Sequence, residues 1–278
     1  MTKQNQFLKD RFWFEKSEQD FPFYNDQPIA LSYRKWLIWV VITIGTFFFF
    51  SGLLLEPIIK IVHLKEKLKI VTDNPLNAVG ITYGFLVVTL LVVFATYRMI
   101  AGHHWDALFK RMRLKEFGLS ALLGIVGMFI SAIYTKVVLT DLFHIKTVAD
   151  VTTKVNHAAS TGVLILNASE TVIQLIVEEM WAIVPFLFVL MSCHKSFSMN
   201  RKASILIAWI ISSIVFGLYH IPSYDGNVAQ AILGIGLSRL ILTFSYVRYK
   251  NIWASYTTHL FWDMIPILSV LVQGMTEK

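Results

Sequence analysis

Seven long apolar runs dominate this chain and leave it few folds. They cover roughly Trp36–Leu55, Val79–Tyr97, Phe117–Leu139, Val163–Cys193, Ala203–Leu218, Val228–Val247 and Trp253–Val272. A helix that crosses a bilayer needs about 20 apolar residues, and the runs are close to that length. In lipid a spanning segment must satisfy its own backbone hydrogen bonds, so each run reads as a helix. The runs are continuous and do not alternate, which argues against a β-barrel. Composition points the same way. Of 278 residues, 55% are hydrophobic and 15% charged, against about 25% charged in an ordinary soluble domain. A soluble enzyme, a nucleic-acid module and a disordered chain are all disfavoured. The fold class is therefore all-α, a polytopic transmembrane helical bundle of seven spans. The long fourth run fits a tilted helix with a protruding end or a helix plus a re-entrant piece, and eight spans are the alternative.

Residues 1–35 form the only long polar stretch, with both signs of charge and the aromatics Phe7, Phe12, Trp13, Phe14, Phe21, Phe23 and Tyr24. Mixed charge argues against a cleaved signal peptide. The stretch reads as an interfacial arm, with a disordered tail as the alternative. The net charge is +7. In a chain this apolar, that charge fits basic loops that fix topology and touch anionic lipid better than it fits nucleic acid. With seven spans, sixteen Lys and Arg residues fall on the side of the N-terminus and eight on the other. This bias predicts a multi-pass protein of the cell membrane with a cytoplasmic N-terminus. The single cysteine, Cys193, excludes an intrachain disulfide framework and a thiolate zinc site.

Charged side chains inside a bilayer cost several kcal/mol, so those that occur there are rare and usually functional. Six histidines (His63, His103, His104, His144, His157 and His194) fall in loops or at run ends and read as solvated. His220 and His259 lie within or at the end of apolar runs, as do the acids Glu170, Glu178, Glu179 and Asp263 and one base, Arg239. Three clusters emerge: Glu178-Glu179, then His220, then His259 with Asp263. His259 and Asp263 are four apart and share a helix face. Such groups lower their cost by facing one another or a wet cavity. Polar glue between helices is one reading, and a cation path is another.

In that order the clusters resemble the motifs of the CPBP intramembrane proteases. That family includes type II CAAX prenyl proteases, lysostaphin-resistance proteins and bacteriocin-processing or immunity proteins (Abi). Its EExxxR element corresponds to Glu178-Glu179-Met180-Trp181-Ala182-Ile183. FxxxH corresponds to Phe216 through His220, and HxxxN to His259 through Asp263. The resemblance covers roughly residues 165–270. With the polar stretch and the apolar runs, this gives an N-terminal arm (1–35), further transmembrane helices (36–160) and, as the resemblance implies, a protease core (161–278). Two positions depart from the pattern: Ile183 replaces the arginine and Asp263 the asparagine. Glu179 thereby loses its partner on the same helix, and Arg239 is expected to supply that charge from a neighbouring one.

The resemblance implies an intramembrane endopeptidase acting on membrane-associated peptides or protein tails. It makes Glu178 the general base, which with His220 deprotonates a water. His259 and position 263 would stabilise the oxyanion, with Glu179 and Arg239 behind them. An ionised Asp263 would repel the oxyanion, unless it is protonated or holds the His259 ring protonated. The residues suit a glutamate-dependent enzyme at least as well as a metalloendopeptidase. Whether a cofactor is used stays open, with zinc the candidate, and if zinc is used its ligands are Glu178, His220 and His259. The two departures favour an alternative, a degenerate relative acting as an immunity or scaffold protein, and an ion-coupled transporter is the third reading. By helix rise, His259 is expected near the cytoplasmic end of its run and His220 near the far end of its own.

Overall fold

The computed structural model describes residues 10–51, 75–150 and 161–276. His63, His157 and the lysines at 3, 9, 60, 65, 67, 69, 154 and 278 lie outside the described residues, as does the end of the first apolar run. Among the described residues there are seven long helices and no strand: α1 (Tyr33–Phe50), α2 (Pro75–Ala101), α3 (Leu114–Tyr134), α4 (Thr161–Met191), α5 (Arg201–Tyr219), α6 (Leu237–Tyr249) and α7 (Ile252–Thr276). One helix lies on each apolar run. Three π-helical stretches modify them: Thr135–Leu142 prolongs α3, Ser192–Ser196 closes α4, and Gln230–Gly236 leads into α6. The fourth run is one continuous helix, with no re-entrant piece.

Six of these segments are long and apolar enough to cross a membrane, and α7 is not among them. The reason is local: α7 carries Ser255, Tyr256, Thr257, Thr258, His259 and Asp263 in its first half. Its seat within the bundle comes from packing on α3, α4 and α6.

Polar caps set the helix starts. The Ser32 hydroxyl accepts from the Lys35 amide at 3.3 Å, and the Asn200 side chain accepts from the Ala203 amide at 2.9 Å. Such caps satisfy amides that the helix itself leaves open. Lys250 ends α6 in the left-handed region at φ 48°, and α7 starts two residues later. The Asn251 side chain holds that corner, bonding the amide and carbonyl of Lys110 at 3.3 and 3.1 Å.

Helix α4 is the central post. Every residue from Val177 to Leu187 is buried, and α1, α2, α5 and α7 pack around it. By contrast few residues of α2 and α3 are buried, as expected of lipid-facing helices. Small residues set the closest approaches. A Cβ on Gly124 of α3 would collide with the Thr258 carbonyl of α7, and one on Gly217 of α5 would lie 2.6 Å from the Ala231 carbonyl.

The described part of the N-terminal stretch is folded onto the bundle. Phe21, Phe23 and Tyr24 are buried, with the Phe21 ring 5.3 Å from Phe186 and 5.9 Å from Tyr246. Glu15 is buried and takes a two-pronged pair from Arg201 at 2.9 and 2.6 Å, and it also pairs with Lys250. Asp20 accepts from the same guanidinium at 2.6 Å. Burial alone would raise the Glu15 carboxyl, but Arg201 and Lys250 outweigh it and hold its pKa at about 2.

Candidate active site

Adjacent residues on a helix point about 100° apart, and this separates the fates of Glu178 and Glu179. Glu179 turns into the core. Its two oxygens each accept from Arg239 of α6 at 2.7 Å, and both side chains are fully buried. Arg239 also donates Nε to Thr243 at 3.1 Å and lies 4.7 Å over the Phe216 ring. Ile183, where the family pattern has arginine, sits fully buried in the apolar core. The cation beside Glu179 therefore comes from another helix.

Glu179 also fixes His259. The His259 Nδ1 lies 2.9 Å from Glu179 Oε1. A carboxylate only accepts, so Nδ1 carries the proton. That sets the opposite nitrogen, Nε2, toward Glu178 Oε2 at 3.9 Å and Asp263 Oδ2 at 3.6 Å. The gap to Glu178 is too wide for a direct hydrogen bond and suits one bridging oxygen.

Glu178 faces a cavity of about 690 Å³. Its other oxygen accepts from Gln174 Nε2 at 2.5 Å, one turn earlier on α4. His220 caps the end of α5 and lines the same cavity. Its Nδ1 donates to the Phe216 carbonyl at 2.8 Å, which leaves Nε2 as the ring's acceptor. Phe216 joins the parts: its ring centroid is 4.5 Å from that of His220 and 6.2 Å from that of His259.

His220 and His259, expected at opposite ends of their runs, line one cavity. His220 folds back one turn onto Phe216, as helix side chains tilt toward the N-terminus. Asn251 and Ile252, at the start of α7, are already buried against the Leu108–Lys110 segment, and His259, two turns on, is buried among Glu179, Glu178 and Asp263. The cavity holds Glu178, His220, His259 and Asp263 together, while Glu179 and Arg239 sit behind its wall.

A metal fits this arrangement poorly. Among the described residues no three His, Cys, Asp or Glu side chains converge as a metal site. No step is derived through a metal at Glu178, His220 and His259.

Four lining residues escaped the motif reading: Asp150, Glu170, Gln174 and Tyr224. Glu170 had stood out as an acid in an apolar run but belonged to no motif. Gln174 was legible only by its spacing of four from Glu178. Asp150 and Tyr224 lie in connecting segments, where a polar residue attracts no notice. The phenol of Tyr224 is pushed well up by burial and by the charges of Asp150, Asp263 and Glu178.

No curated protein and no solved structure matches the chain. The Rce1-like family model, described as type II CAAX prenyl endopeptidase Rce1-like, matches residues 161–265. That stretch runs from the start of α4 to the middle of α7 and contains all three motifs. Together with the apolar helices it marks a multi-pass membrane protein, and residues 161–265 are similar to the Rce1-like, CAAX-type endopeptidases that the motifs suggested.

Proposed function

We propose that this chain is an intramembrane endopeptidase that hydrolyses peptide bonds of membrane-associated peptides or protein tails, with its N-terminus in the cytoplasm. The observation that carries the reading is the division of labour on α4. Glu179 is neutralised by Arg239, while Glu178 faces the cavity with one oxygen toward His259. Glu178 takes a proton from water held with the acceptor nitrogen of His220, and the resulting hydroxide adds to the amide carbonyl carbon. Charge develops on the carbonyl oxygen, and His259 Nε2–H donates to it. As the C–N bond breaks, Glu178 returns the proton to the leaving amine.

Asp263 stands where the family has asparagine. With Glu179 on Nδ1 and Asp263 3.6 Å from Nε2, His259 is flanked by carboxylates that favour the imidazolium, the form that donates. This supports the rescue in which Asp263 keeps the ring protonated. The same departure favours a second reading, a non-catalytic immunity or scaffold protein on the same fold.

Cleavage of membrane-anchored fluorogenic peptides, including a prenylated tail, by protein reconstituted in proteoliposomes separates the two. Glu178→Ala and His220→Ala are each expected to lower turnover by about 10²–10⁴ at unchanged insertion. Wild-type protein that cleaves none of them supports the scaffold.

A further inference from the structure

One polar group on the cavity wall is left without a partner. Tyr219 is 7% exposed and lines the cavity, and among the described residues its hydroxyl makes no hydrogen bond. The hydroxyls of Thr89, Ser120, Ser213 and Tyr246 are likewise buried and unmatched, but none of those residues lines this cavity. Other polar groups close to Tyr219 on the wall are matched. The Trp181 indole donates to Thr46 at 3.0 Å, and His220 Nδ1 donates to the Phe216 carbonyl at 2.8 Å. A buried hydroxyl left unpaired costs free energy that a bound partner recovers.

Tyr219 belongs to the stretch of wall next to the reacting groups. It directly precedes His220, and Phe216, Tyr219 and His220 share one face at the end of α5 and all line the cavity. Its ring stacks on Phe47 with centroids 4.4 Å apart, and Phe47 meets the Trp181 ring edge-on at 5.2 Å. Trp181 follows Glu178 by three residues, on the same face of α4. Phe47 thus holds the Tyr219 ring but has no side-chain oxygen or nitrogen to offer its hydroxyl. We propose that Tyr219 positions the peptide by donating its hydroxyl to a main-chain carbonyl beside the bond that is cut. A peptide lying across Glu178 with an amide open to water has given up its helical hydrogen bonds there, and a carbonyl in so apolar a setting needs a donor. Extended peptide presents a carbonyl about every 3.3 Å whatever its side chains, so an acceptor comes within reach of a fixed donor. Phe47 and Trp181 give the same peptide an apolar bed.

This assignment rests on the peptidase reading, and the experiment separates the two. Membrane-anchored peptides are made in which each amide in turn is replaced by a trans-alkene, which keeps the shape and removes the carbonyl. Cleavage and binding of each are measured with wild-type and Tyr219→Phe protein, full length, in proteoliposomes. Tyr219→Phe is expected to lower kcat/KM by about tenfold with no loss in the unfolding midpoint, since it deletes a hydroxyl that has no partner in the free protein. One alkene beside the cleaved bond should lower kcat/KM about tenfold more in the wild type than in Tyr219→Phe. Cleavage in which every alkene has the same effect on both proteins would overturn the assignment and leave the peptidase standing. So would an unchanged kcat/KM in Tyr219→Phe, or a fall that comes only with a lowered midpoint. If no peptide is cleaved, the peptidase reading fails and binding carries the same comparison. One alkene whose effect on affinity disappears in Tyr219→Phe would uphold the contact, and additive losses or no binding at all would overturn it.

Discussion

Removing the Arg239 guanidinium strands Glu179. Both side chains are fully buried, with two contacts of 2.7 Å between them. Breaking a buried pair from one side leaves an uncompensated charge and costs about 3–5 kcal/mol. Arg239→Met is therefore expected to lose that much, a large part of a typical stability of about 5–15 kcal/mol. Arg239→Lys keeps the charge but not the fork of two parallel bonds, and should lose about half as much. Arg239→Met with Glu179→Leu removes both charges and should recover most of the stability, since an apolar replacement of a buried pair is often neutral. Activity should not return with it, because His259 has then lost the acceptor on Nδ1. The assay is reversible unfolding in mixed micelles for stability, alongside peptide cleavage. If Arg239→Met unfolds within about 0.5 kcal/mol of wild type, the size of an ordinary surface substitution, the ion pair is not what holds α4, α6 and α7 together. Full activity in the double variant would refute the orienting role of Glu179.

Three further outcomes follow from the packing. Gln174→Leu removes the donor to Glu178 and should slow cleavage by roughly 10–100-fold while moving the unfolding midpoint little, as steady-state kinetics and thermal melts would show. Gly124→Leu drives a side chain into the Thr258 carbonyl. It should cost about 1–3 kcal/mol and, because His259 follows Thr258, abolish cleavage. Glu15 is held at about 2, below its ordinary 4.5, so its ion pairs stabilise the fold fully above pH 4.5. That contribution, on the order of 3 kcal/mol, should be lost as pH falls from 4.5 toward 2. Glu15→Gln should flatten this part of the stability–pH curve, and an unchanged curve would deny the arm its anchor.

What the sequence disclosed depended on contrast with its surroundings. Glu178, Glu179, His220, Arg239, His259 and Asp263 stand out because apolar neighbours make polar groups conspicuous, and the order of all but Arg239 on three helices carried the resemblance to the family. The helices were legible for the same reason, each apolar run marking one. Glu15, Arg201 and Lys250 were illegible because they lie in or beside polar stretches, where a charge is ordinary until tertiary structure buries it. The buried start of α7 was hidden too, since its Ser, Thr and Tyr residues read as the surface end of a helix when they are packing surfaces against α3 and α6. Asp150 and Tyr224 reach the cavity from connecting segments, and nothing in their local pattern distinguishes them from solvated loop residues.

The central claim is that the groups gathered at this cavity add water to an amide. Incubating the reconstituted protein with a membrane-anchored peptide in heavy-oxygen water, then weighing the products, tests it directly. The account predicts one heavy oxygen in the new carboxyl terminus with wild-type protein and none with Glu178→Ala. Equal labelling with both proteins, or no product from the wild type on any membrane-anchored peptide, would contradict it.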